Sequence, residues 1–486
     1  MTYSWGVIAL IVTVIGWLIP FAMLFVVPAN RKPSSATAWL MLLFALPWFG
    51  LLIFFLLGSP KLSPRRRALQ REINTAISKF VSEAKHDPAL APLIVTDLPP
   101  RYEPLAHLNR NLGGLPVVKG NAVALITDYA EMLTQIAADI DAAEYYVHVA
   151  FYILIADQET EICFAAMERA VARGLSVRVL YDPVGSRKFP TYRATLERMQ
   201  QAGIQAHPML PLRKRGDFNR PDLRNHRKIV VVDGRIGYTG SLNMIARAYH
   251  RRDDIYYNEL VARVQGPAAE ALDAVFRTDW FSETGELLSS TEGPYAISFR
   301  AYGNALCQVL PSGSGFDNEN NLKLFVALIH ASRRKIVICN PYFVPDDALM
   351  LAVVSAAQRG VAVTLINSEA QDQFLVAYGQ RSYYEQLLRA GVQILLYKAP
   401  TLLHTKTISI DDDIAVIGSS NLDMRSFELN LEVTLVCYDS DVVTDLRRAE
   451  AEYIARSREV TLDEWLRRPI HQRLFENLTR LMSALL

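Results

Sequence analysis

One pattern of six residues occurs twice in this chain of 486 residues, and no other feature restricts its fold as much. The first copy reads His226-x-Lys228-x4-Asp233-x6-Gly240-Ser241-x-Asn243, the second His404-x-Lys406-x4-Asp411-x6-Gly418-Ser419-x-Asn421. A lone His-x-Lys would carry no weight in a chain with 9 histidines, but two complete copies at identical internal spacing are not coincidence. Flanking segments repeat as well: 172–180 has a counterpart in 358–366, and 201–205 in 389–393. The chain is therefore built on a duplicated unit. The first copy carries an insertion ahead of His226 that includes Arg213, Lys214, Arg215, Arg220 and Arg224. Short β-rich runs (146–155, 176–181, 228–232) alternate with helical stretches such as 157–173, which predicts an α/β body with helices covering a mixed sheet.

Residues two apart on a strand point to one face, so His226 and Lys228 project together, as do His404 and Lys406. Asp233-Gly234 is a turn signal that sends the chain back toward Gly240-Ser241. Each copy thus offers an imidazole, an ammonium, and hydroxyl and amide donors near one sheet edge. Lysine neutralises a phosphate oxygen as a point charge, while Ser241, Asn243, Ser419 and Asn421 supply hydrogen bonds to a substrate. Two imidazoles suit phosphoryl-ester chemistry, one neutral and nucleophilic, the other protonated as the acid. A carboxylate can set the tautomer of each ring, and four are candidates: Asp233 and Asp411 within the motifs, Glu259 and Glu432 shortly downstream.

The N-terminus belongs to a different physical class. Residues 1–30 and 33–60 contain no charged side chain. Trp5–Val27 and Ala38–Leu57 each reach the roughly 20 apolar residues that cross a bilayer core of about 30 Å as a helix, and the short polar linker 28–37 joins them. A two-helix transmembrane hairpin is expected. A cleaved signal peptide fits poorly, because there is no basic leading segment, the first apolar stretch is too long and a second one follows. Met1–Arg71 holds 7 basic and no acidic residues, which leaves the rest of the chain, with 44 basic and 50 acidic side chains, at −6. That is an anchor on a mildly acidic body, not a nucleic-acid-binding surface. The linker has two basic residues and 61–71 has five, so the body is expected on the cytoplasmic side. The four cysteines (Cys163, Cys307, Cys339, Cys437) form no CxxC pair and read as reduced, buried thiols.

Both constellations match the HxKx4Dx6GSxN signature of the phospholipase D superfamily. The segments 30–33 and 38–40, Asn340-Pro-Tyr-Phe-Val-Pro345, Leu402-Leu-His-Thr-Lys406 and Gly418-Ser-Ser-Asn-Leu-Asp-Met-Arg-Ser426 extend the likeness. Over essentially its whole length the chain resembles the membrane-anchored bacterial cardiolipin synthases of that superfamily, the long A-like form most closely. The resemblance implies duplicated phospholipase D-type α/β domains with a single active site at their interface, behind the transmembrane hairpin. It implies His226 as nucleophile and His404 as general acid/base, although the two motifs are too alike for their order to be read from the sequence. Lys228, Asp233, Lys406 and Asp411 complete the catalytic set, and Ser241, Asn243, Ser419, Asn421, Glu259 and Glu432 form the substrate-binding set. The implied reaction joins two phosphatidylglycerol molecules through a phosphatidyl-histidine intermediate, releasing glycerol, without nucleotide, cofactor or metal. The implied location is the bacterial cytoplasmic membrane, with membrane lipids as partners and no nucleic acid.

The implied organisation is an anchor at 1–60, a basic and amphipathic linker at 61–110, phospholipase D-like domains at 111–295 and 296–460, and an amphipathic helix at 461–486. That tail reads either as a helix packed on the body or as an interfacial membrane helix. The arginine-rich insertion reads either as a solvated loop or as an attractor for anionic headgroups. A phospholipase D or a phosphatidylserine synthase would use the same six residues with another acceptor. No HExxH set, Walker A loop or GxGxxG opening a helix points elsewhere.

Overall fold

The sheet that the repeat demands is present, and its strand order displays the duplication. The computed structural model describes every residue except 1, 30–32, 59–61, 63, 85, 89, 215–216, 219, 251–253, 289–299, 317–318 and 482–486. Among the described residues the chain forms two compact units: Met1–Leu62 with Arg220–Asp222, and Ser63–Asn219 with Leu223–Leu486.

The larger unit is built on one 15-stranded mixed sheet. From its middle outward, the first half runs through strands Val118–Ile126, Val261–Gln265, Ile236–Gly240, Ile229–Val232, Tyr146–Phe151, Ser176–Tyr181 and Gln205–Pro208. The second half runs in the same order through Ala305–Ser312, Glu432–Cys437, Ile414–Gly418, Thr407–Ile410, Lys335–Cys339, Ala362–Ser368 and Gln393–Tyr397, with Ser457–Val460 added at the edge. The halves meet where Val118–Ile126 pairs antiparallel with Ala305–Ser312. In each half the inner pairings are antiparallel and the two that follow are parallel, and the added edge strand Ser457–Val460 pairs antiparallel.

Helices cover the sheet, as the runs of fully buried residues in Tyr146–Phe151 and Ile229–Val232 require. Each half has its own core: Met132, Ile136, Phe164 and Met167 pack on the first half's strands, Leu324, Leu328, Leu349 and Val353 on the second's. All four cysteines are buried thiols outside any disulfide. The basic run after the anchor opens the helix Pro64–Ala84, and Arg66 is buried in a two-bond ion pair with Glu283. The C-terminal tail is two helices, Leu462–Leu466 and Ile470–Arg480, separated at Pro469.

In the smaller unit, Thr2–Met23 is one helix, and its Gly6–Met23 stretch is long and apolar enough to cross a bilayer. The expected second span is not continuous. It is divided into Pro33–Ala45 and Pro47–Leu57, with Leu46 in a non-helical conformation (φ −139°, ψ 74°). Proline at 47 has no N–H to donate and disfavours helical geometry at the residue before it. The second piece folds back on the first, so that Trp39 and Phe54 meet edge to face with centroids 5.4 Å apart. At ~1.5 Å per residue neither piece exceeds about 20 Å. Residues 30–32 of the linker lie outside the described residues.

Candidate active site

Both copies of the motif fold as a strand, a tight turn and a returning strand: Ile229–Val232 to Ile236–Gly240, and Thr407–Ile410 to Ile414–Gly418. Asp233 and Asp411 begin the turns at φ +54° and +49°. Their carboxylates staple the turns to the next strand. Asp233 accepts from the backbone N–H of Glu144, Tyr145 and Tyr146, each at 2.8 Å. Asp411 accepts from Arg333, Arg334 and Lys335 in the corresponding place, and pairs with the Arg101 guanidinium. These aspartates lie beyond the far end of the strand from the histidines, seven residues on, or about 23 Å at the rise of an extended chain. They make no contact with either imidazole, which corrects the expectation that they belong to the reacting group.

The glutamates take that place, and they do so crosswise. His226 Nδ1 lies 2.9 and 3.1 Å from the carboxylate oxygens of Glu432, a residue of the second half. His404 Nδ1 lies 2.8 and 2.9 Å from those of Glu259, a residue of the first half. The backbone forces the exchange: His226 N donates to Leu431 O, and His404 N to Asn258 O. Strand Thr401–Leu403 runs parallel to Tyr256–Asn258 across the halves.

Burial lowers the pKa of both histidines, to about 4 for His226, against the opposing pull of the adjacent carboxylate. Burial also pushes each glutamate up, but the paired histidine, the nearby lysine and a serine hydrogen bond carry both below the usual carboxylate range. An ionised carboxylate facing a neutral ring fixes the proton on Nδ1 and leaves the lone pair on Nε2.

Lys228 Nζ donates to His226 O at 2.7 Å and Lys406 Nζ to His404 O at 2.6 Å. Both ammoniums are buried, and desolvation lowers them to about 7 and about 8. The charge of each lysine also acts on the histidine of the other copy, lowering it further.

The glycines of the motif have a steric reason. A Cβ on Gly240 would meet Leu260 O at 2.3 Å, and one on Gly418 would meet Val433 O at 2.6 Å. Their absence lets Ser241 N and Ser419 N bond those same carbonyls, each at 3.0 Å. Ser419 Oγ then donates to Glu432, and Ser241 Oγ accepts from Leu260 N. Neither serine lines the cavity in front of the histidines, so the expectation that they contact substrate is replaced by bracing behind the glutamates.

That cavity measures about 1110 Å³ and is lined by both histidines. Asn243 and Asn421 line it, and the Oδ1 of each is buried without a hydrogen-bond partner among the described residues. Several lining residues have no counterpart among the sequence candidates. Tyr152 stands edge-on to His226 and Tyr257 edge-on to His404, with centroids 5.2 and 5.5 Å away. Tyr342 donates to Asp372 at 2.6 Å. Tyr342 sits in the 340–345 segment already singled out by resemblance; the other three carry no repeat or spacing signal. Of the arginine-rich insertion, Arg224 lines the cavity and pairs with Asp182, and Arg220 pairs with Asp222. The side chains of Arg213 and Lys214, and all of Arg215, lie outside the described residues. Among the described residues no group of three His, Cys, Asp or Glu could hold a metal ion.

A family profile described as "Cardiolipin synthase, PLD-like domain" matches residues 136–280 and 325–452. The chain is 34% identical to cardiolipin synthase A of Proteus mirabilis over 100% of both chains. It is 33% identical to cardiolipin synthase A of Pectobacterium carotovorum over 98% of this chain and 99% of that one. Among solved structures, phosphatidylserine synthase of Haemophilus influenzae shares the fold, with a TM-score of 0.60 and 17% identity over 78% of this chain and 99% of that chain.

Proposed function

The chain belongs to the cardiolipin synthase family with its phospholipase D-like fold, and on that premise we propose that it is a phosphatidyltransferase joining two phosphatidylglycerol molecules into cardiolipin and glycerol at one site shared by both halves. The observation that carries this reading is the exchange of carboxylates between the halves, since neither histidine has its partner without the other half.

In the proposed reaction His226 Nε2 attacks the phosphorus of the first phosphatidylglycerol. The bond to the glycerol oxygen breaks, and that oxygen takes the Nε2 proton of His404, which enters the cycle in its imidazolium form with the charge balanced by Glu259. Glycerol leaves, and phosphatidyl-His226 remains. The free hydroxyl of a second phosphatidylglycerol gives its proton to the now neutral His404 and attacks phosphorus, which releases His226 and forms cardiolipin. One phosphodiester replaces another, so the sequence closes without a nucleotide. Lys228 and Lys406 lend positive potential to the phosphate, while Asn243 and Asn421 offer polar atoms to it or to a glycerol hydroxyl. Glu259 and Glu432 stabilise the imidazolium that forms in each step. Ser241 and Ser419 hold the site together from behind, and Asp233 and Asp411 hold the motif hairpins.

The anchor at 1–60 places the body at a phospholipid membrane, and the division at Pro47 favours one crossing helix with a folded-back pair. All seven basic residues of 1–71 then lie on the same side as the body, which makes that side cytoplasmic. The remaining organisation is a linker at 61–110, catalytic halves at 111–295 and 296–460, and a tail at 461–486.

The test is a product assay on the purified chain with phosphatidylglycerol, chelator and no nucleotide, beside His226→Ala and His404→Ala. Cardiolipin and free glycerol, absent in both variants, are expected. Phosphatidic acid as the main product would transfer the reading to hydrolysis, and undiminished turnover in either variant would overturn the shared site.

A further inference from the structure

The helix Ile470–Arg480 is amphipathic in the reverse of the usual sense. It buries Glu476 and Thr479 against the body, where Glu476 pairs with Arg468, while Ile470, Leu474, Leu478 and Leu481 lie on the opposite side in solvent. Spacings of four, four and three residues put those four side chains in one stripe. Leu478 is 61% exposed and Leu481 82% exposed. A helix that needed only to pack on the body would turn this stripe inward.

The stripe continues onto a neighbouring helix and ends at the cavity. Phe475 packs edge-on to Tyr378 at 4.8 Å and lies 5.8 Å from Phe374, both on the helix Phe374–Arg389. Phe374 and Leu375 are exposed in turn, and their neighbours Asp372, Gln373 and Val376 line the cavity that holds both histidines. An apolar path thus leads from the cavity rim to Leu481. Four arginines (467, 468, 473, 480) against one glutamate give 467–481 a charge of +3, on a body whose overall charge is negative. Arg467, Arg473 and Arg480 are exposed beside the stripe, with Arg473 3.6 Å from the Glu385 carboxylate and Arg480 over the Tyr383 ring.

We propose that this stripe, with Phe374 and Leu375, is a second membrane-docking surface, which inserts at the headgroup level of an anionic bilayer and seats the cavity mouth there. The proposal rests on the phosphatidyl-transfer reading for its purpose. A diacyl lipid whose headgroup enters the cavity must keep its chains out of water, because each exposed methylene opposes the transfer. An apolar rim at the mouth lets the chains stay in the membrane while the phosphate reaches the histidines. The flanking arginines supply attraction to anionic lipid that an apolar stripe alone lacks.

The experiment uses the full chain in nanodiscs of phosphatidylglycerol and phosphatidylethanolamine. Because the native cysteines are buried, Leu474→Cys can be labelled with an environment-sensitive dye, with Gln200→Cys on an exposed helix as the comparison. The dye at 474 is expected to be quenched by lipids carrying a spin label near the headgroup, and the dye at 200 is not. In parallel, the Leu474→Asp/Leu478→Asp variant should lose about tenfold or more of its turnover on bilayer phosphatidylglycerol and stay within about twofold on a monomeric short-chain analogue. Absence of quenching at 474, or equal losses on both substrates, overturns the proposal. Crosslinking of two chains through the thiol of the Leu474→Cys variant, without quenching, would assign the stripe to a second copy and also overturn it. If no protein makes product from either substrate, the phosphatidyl-transfer reading fails while the quenching result still decides the docking.

Discussion

Replacing Glu432 by glutamine tests the exchange of carboxylates with the smallest change in shape. The amide oxygen can still accept from His226 Nδ1, and the Ser419 hydroxyl still has a partner, but the charge is gone. At the observed separation of 2.9 Å, and with an effective dielectric constant near 20, the carboxylate is worth about 4–6 kcal/mol to a full positive charge on the ring. The ring carries part of that charge as the nitrogen–phosphorus bond forms, so the loss in the transition state is about 2–4 kcal/mol, or roughly 30- to 1000-fold in kcat. The assay is glycerol release from phosphatidylglycerol by the purified chain, with acid-quenched adduct mapped to the peptide that contains residue 226. Thermal melting of the variant checks that folding survives. A kcat within about threefold of the unmodified chain would refute the argument. So would loss of adduct in Glu259→Gln with its retention in Glu432→Gln, because that would return each histidine to a glutamate of its own half.

Labelling should be lost in His226→Ala and retained in His404→Ala; the reverse pattern would exchange the roles of the two histidines. Burial holds His226 at about 4, below its ordinary 6.5, so the unfolded chain binds this proton first as pH falls. Stability therefore drops between those two values, and melting scans should show a shallower drop in His226→Gln; equal slopes would refute the shift. Asp233→Ala leaves three backbone N–H groups without their acceptor, which should cost about 2–4 kcal/mol in denaturant unfolding, with kcat of the folded fraction changed only a few-fold. A large kcat loss at unchanged stability would restore the aspartate to the chemistry. For the anchor, a protease site ahead of Thr2 should be cut from the face opposite the body in sealed vesicles; cleavage from the body's face would mean that the 33–57 segment crosses fully.

The parts of this protein that could be read directly are those that local chemistry and repetition control. The repeat, the strand–turn–strand form of each motif and the uncharged first helix follow from period, turn residues and hydropathy, which act within a few residues. The break at Pro47 has a local cause too, but apolar length alone pointed to one continuous span over Ala38–Leu57, and the division emerged only in the fold. The spacing of Glu259 from His226 and of Glu432 from His404 differs between the copies (33 and 28 residues), so no repeat marked the glutamates as partners.

What remained for the tertiary structure was pairing between distant segments. Four carboxylates were chemically equivalent candidates, and geometry put two in turns and two against imidazoles. The pairing crosses the halves because strands from each run beside strands of the other, a contact between residues 206 and 145 positions apart. Ser241 and Ser419 were displaced from the expected substrate contact by the same packing. The reversed amphipathicity of Ile470–Arg480 also needed the fold, because an amphipathic sequence specifies two faces and not which of them meets the body. Local interactions write the elements into the sequence; which side chains then face one another depends on how those elements close over long loops.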